Sequence, residues 1–262
     1  MELSVSNIAW DAAQDKIVYQ LMREQRFSGL EIAPTRLFPH NPYDNLNGAK
    51  RWSEELKTEY GLAVSSMQSI CYGRSERIFG DYGERRELLA YIKKAIGFAS
   101  VIKCRNLVFG CPGNRNMPDN ANIDIAVDFF RELGDYAAEM GTVIGMEANP
   151  PIYHTNFVND TQHAIELIDK VDSLGFRLNL DLGTMIENGE QIRELNGCGQ
   201  YINHVHISEP GLKTIEKREI HIELKKFLEK EGYAGYVSVE MGKVTDIAVL
   251  RDTMCYVKEI LG

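Results

Sequence analysis

The chain has 262 residues, 44% of them hydrophobic and 26% charged, the balance of a globular protein with a sizeable core. Its formal net charge of −9 argues against nucleic acid as a partner, because an acidic surface repels polyphosphate. No apolar run approaches the roughly 18 residues of a membrane helix, the first residues carry no leader pattern, and five cysteines without a CxxC pair suit reduced thiols. A cytoplasmic protein with no membrane partner is the expectation.

Hydrophobic periodicity alternates between strand and helix along the whole chain. Leu3–Ala9 reads as a strand and Asp15–Gln25 as the helix after it. Gly29–Ala33 is the second strand, followed by a loop through Pro39 and Pro42 and a helix over Ala49–Tyr60. Leu62–Gln68 is the third strand, and Glu84–Val101 a helix with Leu88, Ile92, Ala95, Ile96 and Ala99 on one stripe. Arg105–Phe109 is the fourth strand, closed by the turn cluster Gly110-Cys111-Pro112-Gly113. Ile123–Met140 is helical and ends at Gly141, where a left-handed residue is wanted. Thr142–Glu147 is the fifth strand; Thr161–Val171 is the next helix, with Asp160 or Thr161 as its N-cap. Arg177–Asp181, Asn203–Ile207 and Tyr236–Glu240 are the last three strands, with helices near Gln191–Leu195, at Ile220–Glu231 and at Ile247–Leu261.

Eight strand–helix units in this length predict an α/β fold, a single (β/α)8 TIM barrel forming one domain over residues 1–262. An open doubly wound sheet is the competing solution. It seldom needs eight consecutive units, and the GxGxxG and GxxxxGK(S/T) phosphate signatures are absent.

Active sites of such barrels lie at the C-terminal ends of the strands. Glu147, Asp181, His206 and Glu240 occupy that position on strands five to eight, neighbours around half of the rim. Three oxygen donors and one imidazole suit a divalent metal ion such as Mn²⁺, Mg²⁺, Co²⁺ or Zn²⁺. Without a cation the carboxylates would repel one another and at least one would take up a proton.

On these residues the chain resembles the xylose-isomerase-like TIM-barrel family of sugar and sugar-phosphate isomerases and epimerases, over nearly its full length. The family's ketose 3-epimerases carry a Glu, Asp, His, Glu metal quartet, to which Glu147, Asp181, His206 and Glu240 correspond. Gly232–Glu240 looks like the family's final strand, and His206 with Glu209 like its H-x-x-D/E segment. The resemblance implies a small-molecule sugar or sugar phosphate as partner. It also implies one divalent metal ion, with Glu147 and Glu240 moving a proton through a metal-stabilised enediolate. Two positions depart from the pattern. Thr184 stands three places after the metal aspartate, where histidine is usual, and Leu212 stands six after the metal histidine, where arginine is usual.

Further substrate contacts are expected from Gln68 at the end of strand three, Arg115 after strand four as an anion clamp, and His154 after strand five. Glu209 and His221 complete the expected set. His204, deeper on the face of His206, is expected to be a hydrogen-bonded core residue. Dehydration on the same metal site, an apurinic-site endonuclease and a non-catalytic sugar-binding barrel are the competing functions. The endonucleases of this barrel surround three zinc ions with many histidines and a basic face, whereas this chain has six histidines and is acidic. The long loops at Thr35–Asn47 and Ile70–Gly83 suggest a lid or a homo-oligomer contact.

Overall fold

Each short apolar run pairs in parallel with the runs next to it in sequence, and the first pairs with the last, so no strand edge is left unpaired. The structure, a computed structural model, describes residues 1–262. The closed barrel runs β1 (Glu2–Ser6), β2 (Gly29–Ile32), β3 (Ala63–Met67), β4 (Leu107–Phe109), β5 (Ile144–Met146), β6 (Phe176–Asp181), β7 (Ile202–Ile207) and β8 (Tyr236–Val239). Around it lie α1 (Asp15–Gln25), α2 (Pro34–Leu37), α3 (Leu46–Tyr60), α4 (Tyr82–Val101) and α5 (Asp124–Glu139). The second half adds α6 (Thr161–Val171), α7 (Leu182–Asn188), α8 (Glu219–Lys230) and α9 (Ile247–Leu261). This is the (β/α)8 barrel expected from the periodicity.

Three local readings need correction. The first strand ends at Ser6 and turns into a 3-10 segment at Asn7–Ala9. A short helix, α2, opens with Pro34 inside the loop after β2, since proline at a first helical position loses no hydrogen bond. The helix expected near Gln191–Leu195 is only a 3-10 turn, Ile192–Leu195. The helix of that unit is α7, which starts directly after β6 because the Asp181 carboxylate accepts from Thr184 N. Gly183 in its first turn lowers the helical signal in the sequence.

The apolar face of the strands points outward. Leu3, Val5, Leu30, Ile32, Leu178, Leu180, Val205 and Ile207 pack into one core with the helices. The inward face is polar, whereas barrels of this kind are usually filled by Val, Ile and Leu. Strands that are not neighbours meet only through the lumen. There Ser4 Oγ lies 2.6 Å from Ser65 Oγ, Asn106 Nδ2 donates to Asn179 Oδ1 at 3.4 Å, and His206 on β7 reaches Glu31 on β2.

Two register shifts help to build this lumen. Ser65 is skipped between β2 and β3, and Asn203 between β6 and β7. Consecutive residues Ser65 and Ser66 both hydrogen-bond to lumen groups, and so do Asn203 and its neighbourhood at Asn106. A bulge re-aims side chains in this way beside many active sites. The loops after β2 and β3, expected as a lid or subunit contact, are fastened together where Tyr43 Oη donates to Ile70 O at 2.8 Å.

β6, which ends in Asp181, is set by close backbone packing on α5. A Cβ on Gly175 would come 2.0 Å from Gly134 O and 2.7 Å from Ala138 N. Gly175→Ala should therefore destabilise the fold by about 1–3 kcal/mol, read as a lower urea midpoint with unchanged slope. A midpoint equal to wild type would show that this contact relaxes freely.

Candidate metal centre

Glu147 is the first residue beyond β5, Asp181 the last of β6, His206 the penultimate residue of β7, and Glu240 the first beyond β8. All four are at least nine-tenths buried as residues or nearly so as side chains. His206 Nδ1 lies 2.9 Å from Glu147 Oε1, 3.3 Å from Glu240 Oε2 and 3.9 Å from Asp181 Oδ1. One ligand atom from each falls within 4.8 Å of all the others. The cluster forms because neighbouring strands are in register: Asp181 pairs with His206, and His206 with Ser238, two residues before Glu240.

Three of the four groups are held from behind. Asp181 accepts from Thr184 N at 2.7 Å through one oxygen and from Ser208 Oγ through the other. Glu147 accepts from Asn179 Nδ2 at 2.9 Å and from Asn149 Nδ2 at 3.3 Å, one amide on each oxygen. Gly110 pairs beside it, and a Cβ there would come 2.1 Å from Glu147 Oε2, so only glycine leaves the carboxylate its place. His206 Nε2 lies 2.9 Å from Glu31 Oε2. A proton on Nε2, donated to Glu31, directs the Nδ1 lone pair at the three carboxylates.

Glu31 is the residue that the sequence reading missed. It is fully buried, and it meets Gln68 Nε2 at 3.1 Å and His204 Nε2 at 3.2 Å as well as His206. The signal was present: a single acid in the apolar run Gly29-Leu30-Glu31-Ile32 has to find a partner inside. Burial works to raise its pKa, and the charges and donors of His206 and His204 overcome this and hold it well below the ordinary carboxylate range.

The quartet titrates in the opposite sense. Burial raises Glu147 and Glu240, with each other's or neighbouring acids adding to the effect. Asp181 is pushed up to about 6 by burial and by the charge of Glu147. His206 is raised well above its usual value against the cost of burial, by Glu31 first and then Glu240. Three anions thus surround one imidazole nitrogen and call for a cation between them. The donor set fits a divalent ion of the Mn²⁺, Mg²⁺, Co²⁺ or Zn²⁺ kind, with Glu147, Asp181, His206 and Glu240 as the residues that would hold it.

The profile of the xylose isomerase-like TIM-barrel family matches residues 20–259. The chain belongs to that family. No curated protein sequence is detectably similar to it. Among solved structures, a D-psicose 3-epimerase from Clostridium cellulolyticum H10, crystallised with D-tagatose, superposes with a TM-score of 0.81 at 16% identity, covering 100% of this chain and 99% of that one. A 3-keto-D-glucoside 4-epimerase from E. coli gives 0.76 at 21%, covering 99% of each chain. A protein described as AP endonuclease, family 2, from Brucella melitensis gives 0.74 at 18%, covering 98% of each. At these identities the likeness is one of fold.

In this xylose isomerase-like barrel the three carboxylates of the quartet face a cavity of about 200 Å³, which Gln68, Asn149, Tyr153, Ser208, Glu209 and Leu212 also line. Of the other expected contacts, Gln68 faces the cavity, with its amide nitrogen committed to Ser6 and Glu31. Glu209 lines the cavity, yet both its oxygens are taken by Arg218, at 2.7 and 2.8 Å, and by Glu216 N, so it ties down the loop after β7. Arg115 is no anion clamp: it is fully buried and turned toward the backbone of Glu147. His154 is exposed at a left-handed position outside the cavity wall, where its carbonyl, not its ring, is bonded. His221 is buried on α8 with Nδ1 2.9 Å from Tyr256 Oη, away from the cavity. His204 is buried as expected.

Two outcomes test the centre. Glu31→Gln leaves the quartet intact but removes the carboxylate behind His206, and should weaken Mn²⁺ binding by about 10–100-fold in calorimetric titration; an unchanged affinity would mean Glu31 serves only the lumen. The second is pH dependence. Because the Asp181 pKa is raised from 3.8 to about 6 in the fold, its proton stabilises the metal-free protein at low pH, and that contribution is lost as pH rises through about 6. Metal needs the anion, so the rise in Tm on adding Mn²⁺ should be small below about pH 5 and grow as pH passes about 6. A shift of constant size across that range would contradict the assignment of Asp181 as a ligand.

Proposed function

We propose that the protein is a divalent-metal-dependent isomerase or epimerase of a small, uncharged sugar or hydroxy-ketone. The observation that carries this reading is the convergence of Glu147, Asp181, His206 and Glu240, whose three carboxylates line one cavity. A divalent ion held there would polarise a ketose carbonyl and increase the acidity of the adjacent C–H. The chain's own part follows from the order of the strands. Glu147 after β5 and Glu240 after β8 are the two ends of the quartet, with Asp181 and His206 between them. A substrate lying across the quartet therefore has one glutamate on each flank. One removes the proton beside the carbonyl to give an enediolate. Its return from the other flank inverts that carbon, and its return to the next carbon isomerises.

The substrate class is narrowed by size and charge. The cavity of about 200 Å³ is smaller than the roughly 300–1,000 Å³ of sites for drug-sized ligands, which suits a single sugar unit. Its lining includes Glu147, Asp181, Glu209 and Glu240 and no lysine or arginine. A phosphate group would meet acids without a cation to receive it, which favours a free sugar over a sugar phosphate. The same lining weighs against a nuclease, whose substrate is a polyanion. A dehydratase would use the same proton removal followed by loss of a β-hydroxyl.

Ketohexoses incubated in D2O with Mn²⁺-loaded protein should incorporate deuterium at the carbon beside the carbonyl. Glu147→Gln and Glu240→Gln should each slow exchange by about 10²–10⁴-fold. Absence of exchange with any ketose, alongside cleavage of abasic-site DNA, would replace this reading with the nuclease.

A further inference from the structure

We infer that Arg115 is a positioning residue for Glu147, acting through the side chain of Asn149 and the backbone at the end of β5. The inference rests on the reading of Glu147 as a metal-holding, proton-carrying group.

Arg115 is fully buried, and none of the oxygens its guanidinium donates to belongs to a carboxylate. Its donors go to neutral oxygens: Nη1 to Glu147 O at 2.7 Å, and Nη2 to Asn149 Oδ1 at 2.8 Å and Val158 O at 3.4 Å, while Nε has no partner. A cation buried among neutral acceptors is costly. The anion nearest along its hydrogen bonds is the Glu147 carboxylate, reached through Asn149. The anion that offsets the arginine is thus one hydrogen bond beyond its reach.

Asn149 is the link. Arginine can only donate, so the oxygen of the Asn149 amide must face it. The amide nitrogen is thereby turned the other way, to Ala148 O at 3.0 Å and Glu147 Oε2 at 3.3 Å. The arginine thus decides that Asn149 offers Glu147 a donor and not a second acceptor. With Gly110 against the same oxygen and Asn179 on the other, the carboxylate is left one place to sit. Arg115 also holds the carbonyl of Glu147 just past the last residue of β5, and Asn149 N donates to Val158 O, so backbone and side chain are anchored by one staple from the loop after β4.

The test is Mn²⁺ affinity by calorimetry for wild type, Asn149→Ala, Arg115→Met, the double variant and Glu147→Gln, with metal-free thermal unfolding measured beside it. Asn149→Ala and Arg115→Met should each weaken binding by about 10–100-fold, and the double variant should fall within about twofold of the weaker single one. A structural role alone would lower the metal-free Tm and leave the affinity unchanged. The inference is overturned if Glu147→Gln weakens binding while Asn149→Ala does not, or if the two single effects multiply in the double variant. If Arg115→Met does not fold, Asn149→Ala decides alone. An unchanged affinity in Glu147→Gln would overturn the metal-site reading, and the positioning of Glu147 with it.

Discussion

The contact on which the site depends is the 2.9 Å approach of His206 Nε2 to the Glu31 carboxylate across the lumen. β7 and β2 are not neighbours in the barrel, so this contact exists only because the lumen between them is open to polar side chains. It fixes which imidazole nitrogen faces the three acids. It also explains why the lumen is lined with serine, asparagine and histidine. A buried carboxylate needs donors, and Gln68, His204 and His206 surround it. The apolar work of folding is then left to the outer face of the strands, against the helices.

Charge at the centre is arranged in layers. Glu31 lies below His206 and is kept ionised; Glu147, Asp181 and Glu240 lie above it and are all driven toward protonation. A single imidazole cannot balance three acids, and a divalent cation satisfies them at once. Arg115 adds a positive charge behind Glu147 without touching its carboxylate oxygens. The carboxylate can therefore be held by neutral amides and still have a lone pair free for a cation in the cavity.

The chain differs from the pattern suggested by family resemblance at two places, and the structure gives each a local role. Thr184 donates through Oγ1 to Ala148 O at 2.8 Å, which joins the start of α7 to the chain beyond β5. Leu212 lines the cavity in a left-handed conformation, φ 54°, and its carbonyl accepts from Gly242 N at 2.7 Å. An apolar side chain thus stands at the rim where the family pattern has a charged one, in keeping with the uncharged substrate proposed above.

By itself the sequence determined the barrel and the quartet, because both are written in local patterns. Strand and helix periods alternate eight times, and each of the four groups closes an apolar run, so neighbouring strands must bring them together. The boundaries of α7 were hidden because Asp181 is both a strand-end acid and a helix cap. What only the tertiary structure decided are contacts between strands that are far apart in order. Glu31 belongs to the site because the lumen joins β2 to β7, and the bulges at Ser65 and Asn203 that shape the lumen break the two-residue period. Arg115 looked like an anion clamp because an exposed and a buried arginine read alike in sequence. Its direction was set by which acceptors the loop after β5 placed within reach, and that is a property of packing.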